Sequence, residues 1–179
     1  MQAAVSRSRR RGRPRRFVEA DVVRAALDTM WSRGFESSSL DDLTAATGLN
    51  KSSFYNTFGS KRQLLGSALD LYDRMLAIPL EPVERGIAGL DDLLDYLDGI
   101  ERASITDPRG CFMVNCTTEL GLDDPEIARR AAAYRGRLRA AFARSLEIAA
   151  RAGQIEGEVE TRADLVLAAM MGIFVAVRA

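Results

Sequence analysis

Asn50, Lys51, Ser52 and Ser53 are small, polar or cationic, and they stand where a helix is expected to begin. At a helix start the first backbone N–H groups lack intrahelical acceptors and the dipole favours an anion. Such side chains there suit phosphate oxygens and the polar edges of bases. Tyr55, Asn56, Thr57 and Lys61 extend the polar run, and Ser39 opens the stretch. A second set lies in the first sixteen residues: Arg7, Arg9, Arg10, Arg11, Arg13, Arg15 and Arg16, with no acid among them. Arg11-Gly12-Arg13-Pro14-Arg15 has the character of an arm that enters an A·T-rich minor groove, whose narrow width focuses negative potential onto arginine. The rest of the chain holds 18 basic and 25 acidic side chains, so a formally neutral protein is a +7 arm on a −7 body. That asymmetry points to a polyanion met by one end, with a solvated tail as the alternative.

Several other chemistries are not expected. The chain has no histidine, which removes Ser-His-Asp and Cys-His arrangements and His-based zinc sites. No phosphate-loop or dinucleotide glycine signature occurs. The acid pairs Asp41-Asp42, Asp91-Asp92 and Asp123-Asp124 fall at expected helix starts, where capping explains them. No catalytic residue, metal, cofactor or enzymatic activity is therefore expected. Cys111 and Cys116, five apart in a helical-looking stretch, suit free thiols better than a disulfide. No apolar run reaches the ~18 residues of a membrane span and the basic N-terminus lacks a following apolar stretch, so a cytoplasmic protein without a membrane partner is expected.

The elements that must position these residues are all helical. Residues 1–16 have no apolar periodicity and are expected to be a disordered basic arm. From Phe17, the residues Val22, Val23, Ala26, Leu27, Met30 and Trp31 recur on one face, and Gly34 marks the stop. Ser39 with Asp42 forms a capping box for a second helix to Thr47, and Gly48 permits the turn. Asn50 caps a short third helix ending near Phe58-Gly59. Ser60 with Gln63 starts a fourth, expected to end at about Ile78 because Pro79 and Pro82 follow. Further helices are expected at about 89–105, 109–120, 125–152 and 161–179, the third behind an Asp124-Pro125 start and the last behind a Thr161/Asp164 box. No strand or repeat is found. An all-α fold is expected.

The spacing over Ser39–Phe58 is that of a helix-turn-helix, with Leu43, Leu49, Phe54 and Phe58 packing the helices together. A plain packing module has the same spacing, Lys51 could be a solvated helix residue, and capping by Asn50 competes with its reading adenine. The run Gly34-Phe35, Ser38-Ser39-Leu40, Leu43, Gly48-Leu49, Ser53-Phe54-Tyr55, Phe58, Lys61, Leu64 resembles the N-terminal domain of tetracycline-repressor (TetR) family regulators. The resemblance implies that the helix from Asn50 enters the major groove and that Ser39, Tyr55 and Lys61 contact phosphates. The sequence departs from the family at Ser38, Thr44 and Thr57, the last of which has less reach than the aromatic or histidine usual there.

Beyond residue 64 the likeness is looser. Arg109-Gly110-Cys111-Phe112-Met113-Val114-Asn115, Glu119-Leu120 and Asp124-Pro125-Glu126 resemble the C-terminal domain of a branch of the family in which some members sense electrophiles, oxidants or hydrophobic small molecules. In some of them the cysteine after this glycine is the sensing thiol. A first-turn position beside Arg109 would favour a Cys111 thiolate, and a small core residue is the alternative. A pocket for an unidentified small-molecule effector is expected among Met75, Ile78, Tyr96, Ile100, Phe112, Met113, Cys116 and Tyr134, most of which could equally be core. A homodimer is expected, because two half-sites of a palindromic double-stranded operator need two reading helices. Leu165, Val166, Ala169, Met170, Ile173, Phe174 and Val177 give the last helix an apolar surface nearly all round. Family members continue into one more helix where this sequence stops at Ala179, implying a truncated chain or a differently assembled dimer. The expected organisation is a basic arm (1–16), a helix-turn-helix domain (17–62) and a helical ligand-binding and dimerisation domain (63–179). A ligand-released repressor is the leading expectation, and an architectural DNA binder driven by the arm is the alternative.

Overall fold

The computed structural model describes residues 19–178, which form eight α-helices with no strand among them. These are α1 (Glu19–Arg33), α2 (Leu40–Thr47), α3 (Lys51–Phe58), α4 (Lys61–Arg85), α5 (Leu90–Thr106), α6 (Phe112–Leu120), α7 (Pro125–Arg151) and α8 (Val159–Arg178). The all-α expectation holds. The arginine arm and Phe17 lie outside the described residues.

Local capping explains the starts of four of the helices. Ser39 and Asp42 form the reciprocal box at α2, Asn50 Oδ1 accepts from Ser53 N (2.8 Å) at α3, and Asp124 Oδ1 accepts from Glu126 N and Ile127 N at α7. At α4 only half of the expected box forms: Ser60 Oγ accepts from Gln63 N, while the Ser60 amide donates to the Phe58 carbonyl.

Three boundaries differ from expectation, the first being the start of α6, which lies at Phe112 rather than near residue 109 and leaves Cys111 as its N-cap. Pro79 and Pro82 do not end α4; they lie inside it, and the helix stops at Gly86. Each proline removes one amide donor, yet burial of Leu80 and Val83 on the same stretch holds the backbone helical. The last helix begins at Val159, so Thr161 is already within it and bonds Glu158, while Asp164 is held by Arg139 at 2.6 Å. The Thr161/Asp164 box therefore does not form.

Helix α4 runs through the middle of the fold, packed on α1, α5 and α7, while α7 also contacts α6 and α8. One continuous hydrophobic core runs from Val22 and Leu27 through Leu64, Leu69 and Phe112 to Leu138, Phe142 and Met170. The helix-turn-helix region and the C-terminal helices thus share a core, which makes α1 and α4 mechanically continuous with the helices behind them.

Candidate nucleic-acid interface

The α2–α3 unit is fixed by the four apolar residues expected to fix it: Leu43, Leu49, Phe54 and Phe58 are all buried. Between the helices Gly48 has φ +68°, a left-handed backbone that a residue with a Cβ adopts reluctantly. Burying Phe54 and Phe58 turns the other face of α3 outward. Asn50, Lys51, Ser52, Tyr55 and Asn56 are exposed, and Ser53 and Thr57 half-buried. The first turn of α3 itself contains no acidic residue, which suits the positive end of the helix dipole to an anion.

Each polar group has a defined setting. The Asn50 side-chain oxygen is committed to its cap, leaving the amide nitrogen. Lys51 Nζ lies 2.7 Å from Asp41 Oδ1, a hydrogen-bonded pairing that raises the lysine pKa and keeps the cation charged. Both partners are well exposed, so the pair is weak and exchangeable for a phosphate. The exposed Tyr55 meets Phe54 edge-on at 5.7 Å. Lys61 Nζ sits 4.3 Å above the Phe35 ring and donates to the Glu36 carbonyl. Ser39 spends its hydroxyl on the α2 cap, where the serine hydrogen bonds lower the Asp42 pKa.

The turn between α1 and α2 is held from behind by a residue the sequence reading did not single out for this role. The Glu119 carboxylate, on α6, accepts from the amides of Phe35 (2.9 Å) and Glu36 (2.6 Å). Arg62 at the start of α4 donates to Asp124, the cap of α7, at 2.5 Å. Trp31 Nε1 donates to the Gly110 carbonyl, and Arg178 donates to the carbonyl of Trp31. Gly110 itself has φ +68°, and a Cβ there would lie 2.6 Å from the Phe174 carbonyl oxygen, so only glycine brings this loop against α8.

Residues 22–68 match bacterial regulatory proteins of the tetR family, and residues 86–179 match the tetracyclin repressor-like C-terminal domain. The chain belongs to the tetR family of transcriptional regulators. It is 30% identical over 152 residues to the uncharacterized HTH-type transcriptional regulator YezE of Bacillus subtilis, covering 82% of this chain and 77% of that one. To the HTH-type transcriptional repressor ComR of Escherichia coli it is 36% identical over 124 residues, 66% of this chain and 58% of that one. Its fold matches a cysteine mutant of the TetR family regulator CifR complexed with 26-base-pair operator DNA. That match has a TM-score of 0.75 and 25% identity, covering 93% of this chain and 90% of that one.

Behind its helix-turn-helix the regulator has a cavity of about 520 Å³ walled by α1, α4, α5, the α5–α6 loop and α8. Of the residues expected to line a pocket, Met75, Tyr96 and Ile100 do so. Tyr134 instead borders a neighbouring cleft of about 330 Å³, which shares Leu76 and Tyr96 with the first. Three expectations fail because the residues are core: Phe112, Met113 and Cys116 are buried and line neither space, Phe112 packing behind Trp31 and Tyr72. Ile78 fails in the other direction, standing 78% exposed on the outer face of α4. Trp31, Tyr72, Asp107 and Phe174 were not expected in the wall; only packing brings them there.

Both cysteines are free thiols. The features read as favouring a Cys111 thiolate do not act in this fold. Cys111 is buried at the N-cap of α6, its Sγ donates to Tyr134 Oη at 3.6 Å, and Arg109 is engaged elsewhere. Burial pushes the Cys111 thiol above its ordinary pKa and that of Cys116 up to about 12. On α8, Leu165, Ala169 and Ile173 are exposed, with Val166 and Val177 half-buried. Met170 and Phe174, expected on the same interface, are buried within the subunit, because the helix that looked apolar all round packs one side on α7.

Proposed function

We propose that the protein is a repressor that binds a palindromic operator as a homodimer and leaves it when a small molecule fills the 520 Å³ cavity. One observation carries this reading. The groups that fit phosphate and base edges, Asn50, Lys51, Ser52, Ser53, Tyr55, Asn56 and Thr57, share the outward side of a helix whose inward side is locked by Phe54 and Phe58. In this reading Ser39, Lys51, Tyr55 and Lys61 grip the backbone, Asn50 approaches a base edge, and Arg11, Arg13, Arg15 and Arg16 follow the adjacent minor groove. The division into an arm, a helix-turn-helix domain to residue 62 and a ligand-binding and dimerisation domain from 63 follows the same roles. The apolar outer residues of α8, Leu165, Ala169 and Ile173, suit burial against a second copy.

Effector control needs a connection between cavity and reading helix. Trp31 supplies one, because it belongs to α1 and lines the cavity. The Glu119 bonds to the α1–α2 turn supply a second. The electrophile-sensing role raised by the likeness of Cys111 to sensing thiols has less support than a packing role, given the buried, hydrogen-bonded thiol.

The test is a fluorescence-anisotropy titration of labelled duplex from upstream of the protein's own gene, beside a scrambled duplex, at several salt concentrations. A preference of about 10³-fold or more is expected for a sequence-specific regulator. Equal and steeply salt-dependent binding to both duplexes would favour the architectural alternative.

A further inference from the structure

Arg109 lies in the loop between α5 and α6, and three groups hold its guanidinium. It sits over the Trp31 ring at 4.2 Å from the centroid. Its Nε and Nη2 donate to the Asp107 carboxylate at 2.7–3.1 Å, and Nη1 reaches Asp28 Oδ1 at 3.3 Å. Asp28 and Trp31 are on α1, while Asp107 caps the end of α5. One side chain therefore ties the helix behind the reading head to the loop that closes the cavity.

Two of those three holders, Trp31 and Asp107, are also part of the cavity wall. An aromatic face beside a carboxylate is a combination that recognises a cation, and here it already holds one belonging to the protein. The remaining charges in the wall lean the same way: Asp107 is already compensated by Arg109, and Asp92 and Asp95 stand against Arg102 alone. Asp92 uses one oxygen on the Ala88 amide, and Asp95 is exposed. An anionic ligand would meet this acidic excess, whereas a cation with an apolar body would compensate it and fill the walls made by Met75, Leu76 and Ile100.

Taking the cavity as the effector site, we propose that the effector is a hydrophobic organic cation that takes the place of Arg109 on Trp31 and Asp107. Displacing the guanidinium removes the Asp28 link to α1, so occupancy of the cavity loosens one of the ties, beside those of Glu119 and Arg178, that hold the reading head. No covalent step is involved. Recognition and release share the same two side chains, which makes the coupling reciprocal: whatever stabilises the Arg109 clip weakens the cation, and the converse.

Trp31 is the only tryptophan in the chain, so its fluorescence reports directly on the site. The probes are benzyltrimethylammonium, its uncharged carbon isostere neopentylbenzene, and phenylacetate, each titrated into the full-length protein. The ammonium is expected to bind about tenfold or more tightly than the isostere, with phenylacetate weakest, and Asp107→Asn to remove most of that preference. Arg109→Met, without any probe, is expected to weaken binding to the upstream duplex by about fivefold or more and to strengthen ammonium binding. Equal binding of ammonium and isostere overturns the cation while leaving the cavity as an effector site. A folded Arg109→Met protein with native DNA affinity overturns the clip. No fluorescence response to any probe overturns the proposal together with the effector reading of the cavity, and leaves the operator titration to judge DNA binding separately.

Discussion

Lys51 and Asp41 form an exposed pair across the opening of the helix-turn-helix, and a phosphate arriving there competes with the carboxylate for the same cation. Lys51→Ala is expected to weaken operator binding about equally across sequences and to lower the salt slope by about one unit. Asp41→Asn is expected to strengthen it at low salt, because it removes both the competitor and a repelling charge. Anisotropy titrations of the two variants check both signs; a Lys51→Ala protein with native affinity and slope would mean that the side chain does not touch DNA. Asp124 offers a test of stability rather than binding. The hydrogen bond from Arg62, followed by bonds from the α7 amides, holds its pKa at about 2 against 3.8 for the free group. A carboxyl depressed on folding contributes stability that is complete above the unfolded value and is lost as pH falls towards the folded one. The native protein should thus lose stability between about pH 4 and 2 more steeply than Asp124→Asn, which keeps the cap but not the charge. Urea midpoints across that range check this; parallel profiles would show that the Arg62 pair adds nothing.

At the scale of elements, legibility followed locality. The α2, α3 and α7 starts were readable because a cap is a contact between residues two or three apart, visible as Ser39-Asp42, Asn50-Ser53 and Asp124-Ile127. Burial of Leu43, Leu49, Phe54 and Phe58 was readable because periodicity encodes it. The course of α4 was not: a proline's local cost was read as a stop, and the tertiary burial of Leu80 and Val83 that outweighs it leaves no local mark. The cavity wall was partly legible for the same reason. Met75, Tyr96 and Ile100 are apolar residues on helices expected to be central, whereas Trp31 enters from the DNA-binding side and Asp107 from a loop end. No spacing rule links positions that distant. The prolines inside α4 carry their own prediction. Pro79 and Pro82 cannot donate to the carbonyls of Met75 and Ile78, so Pro82→Ala restores a donor within the helix. It is expected to stabilise the protein by about 1–2 kcal/mol, less than the full interior cost of proline because alanine also frees the unfolded chain. A urea midpoint shift with unchanged m-value checks this, and a decrease would mean that the proline geometry is needed for α4 to pass between its neighbours.

For the whole molecule, the proposed dimer would join two reading heads through the outer side of α8. Leu165, Ile173 and Val175 stand 65%, 45% and 57% exposed, with the small residues Ala169 and Gly172 among them, while Met170 and Phe174 anchor the opposite side in the core. The anchored side fixes α8, so a charge on the outer side would alter association without dismantling the subunit. Ile173→Glu would place a carboxylate in the dry centre of a symmetric interface, opposite or near its own copy, where desolvation and like-charge repulsion both oppose pairing. The expected result is a shift from dimer to monomer in sedimentation velocity with far-UV circular dichroism unchanged. Operator affinity should fall with it by about 10²-fold or more, because half-sites ~34–36 Å apart then lose the second head's high effective concentration. Scrambled duplex should bind nearly as before, since each head keeps its phosphate contacts. A variant that stays dimeric would move the interface off this side of α8. One that turns monomeric yet binds the operator as tightly as the native protein would show that a single head suffices, and the requirement for a palindrome would go with it.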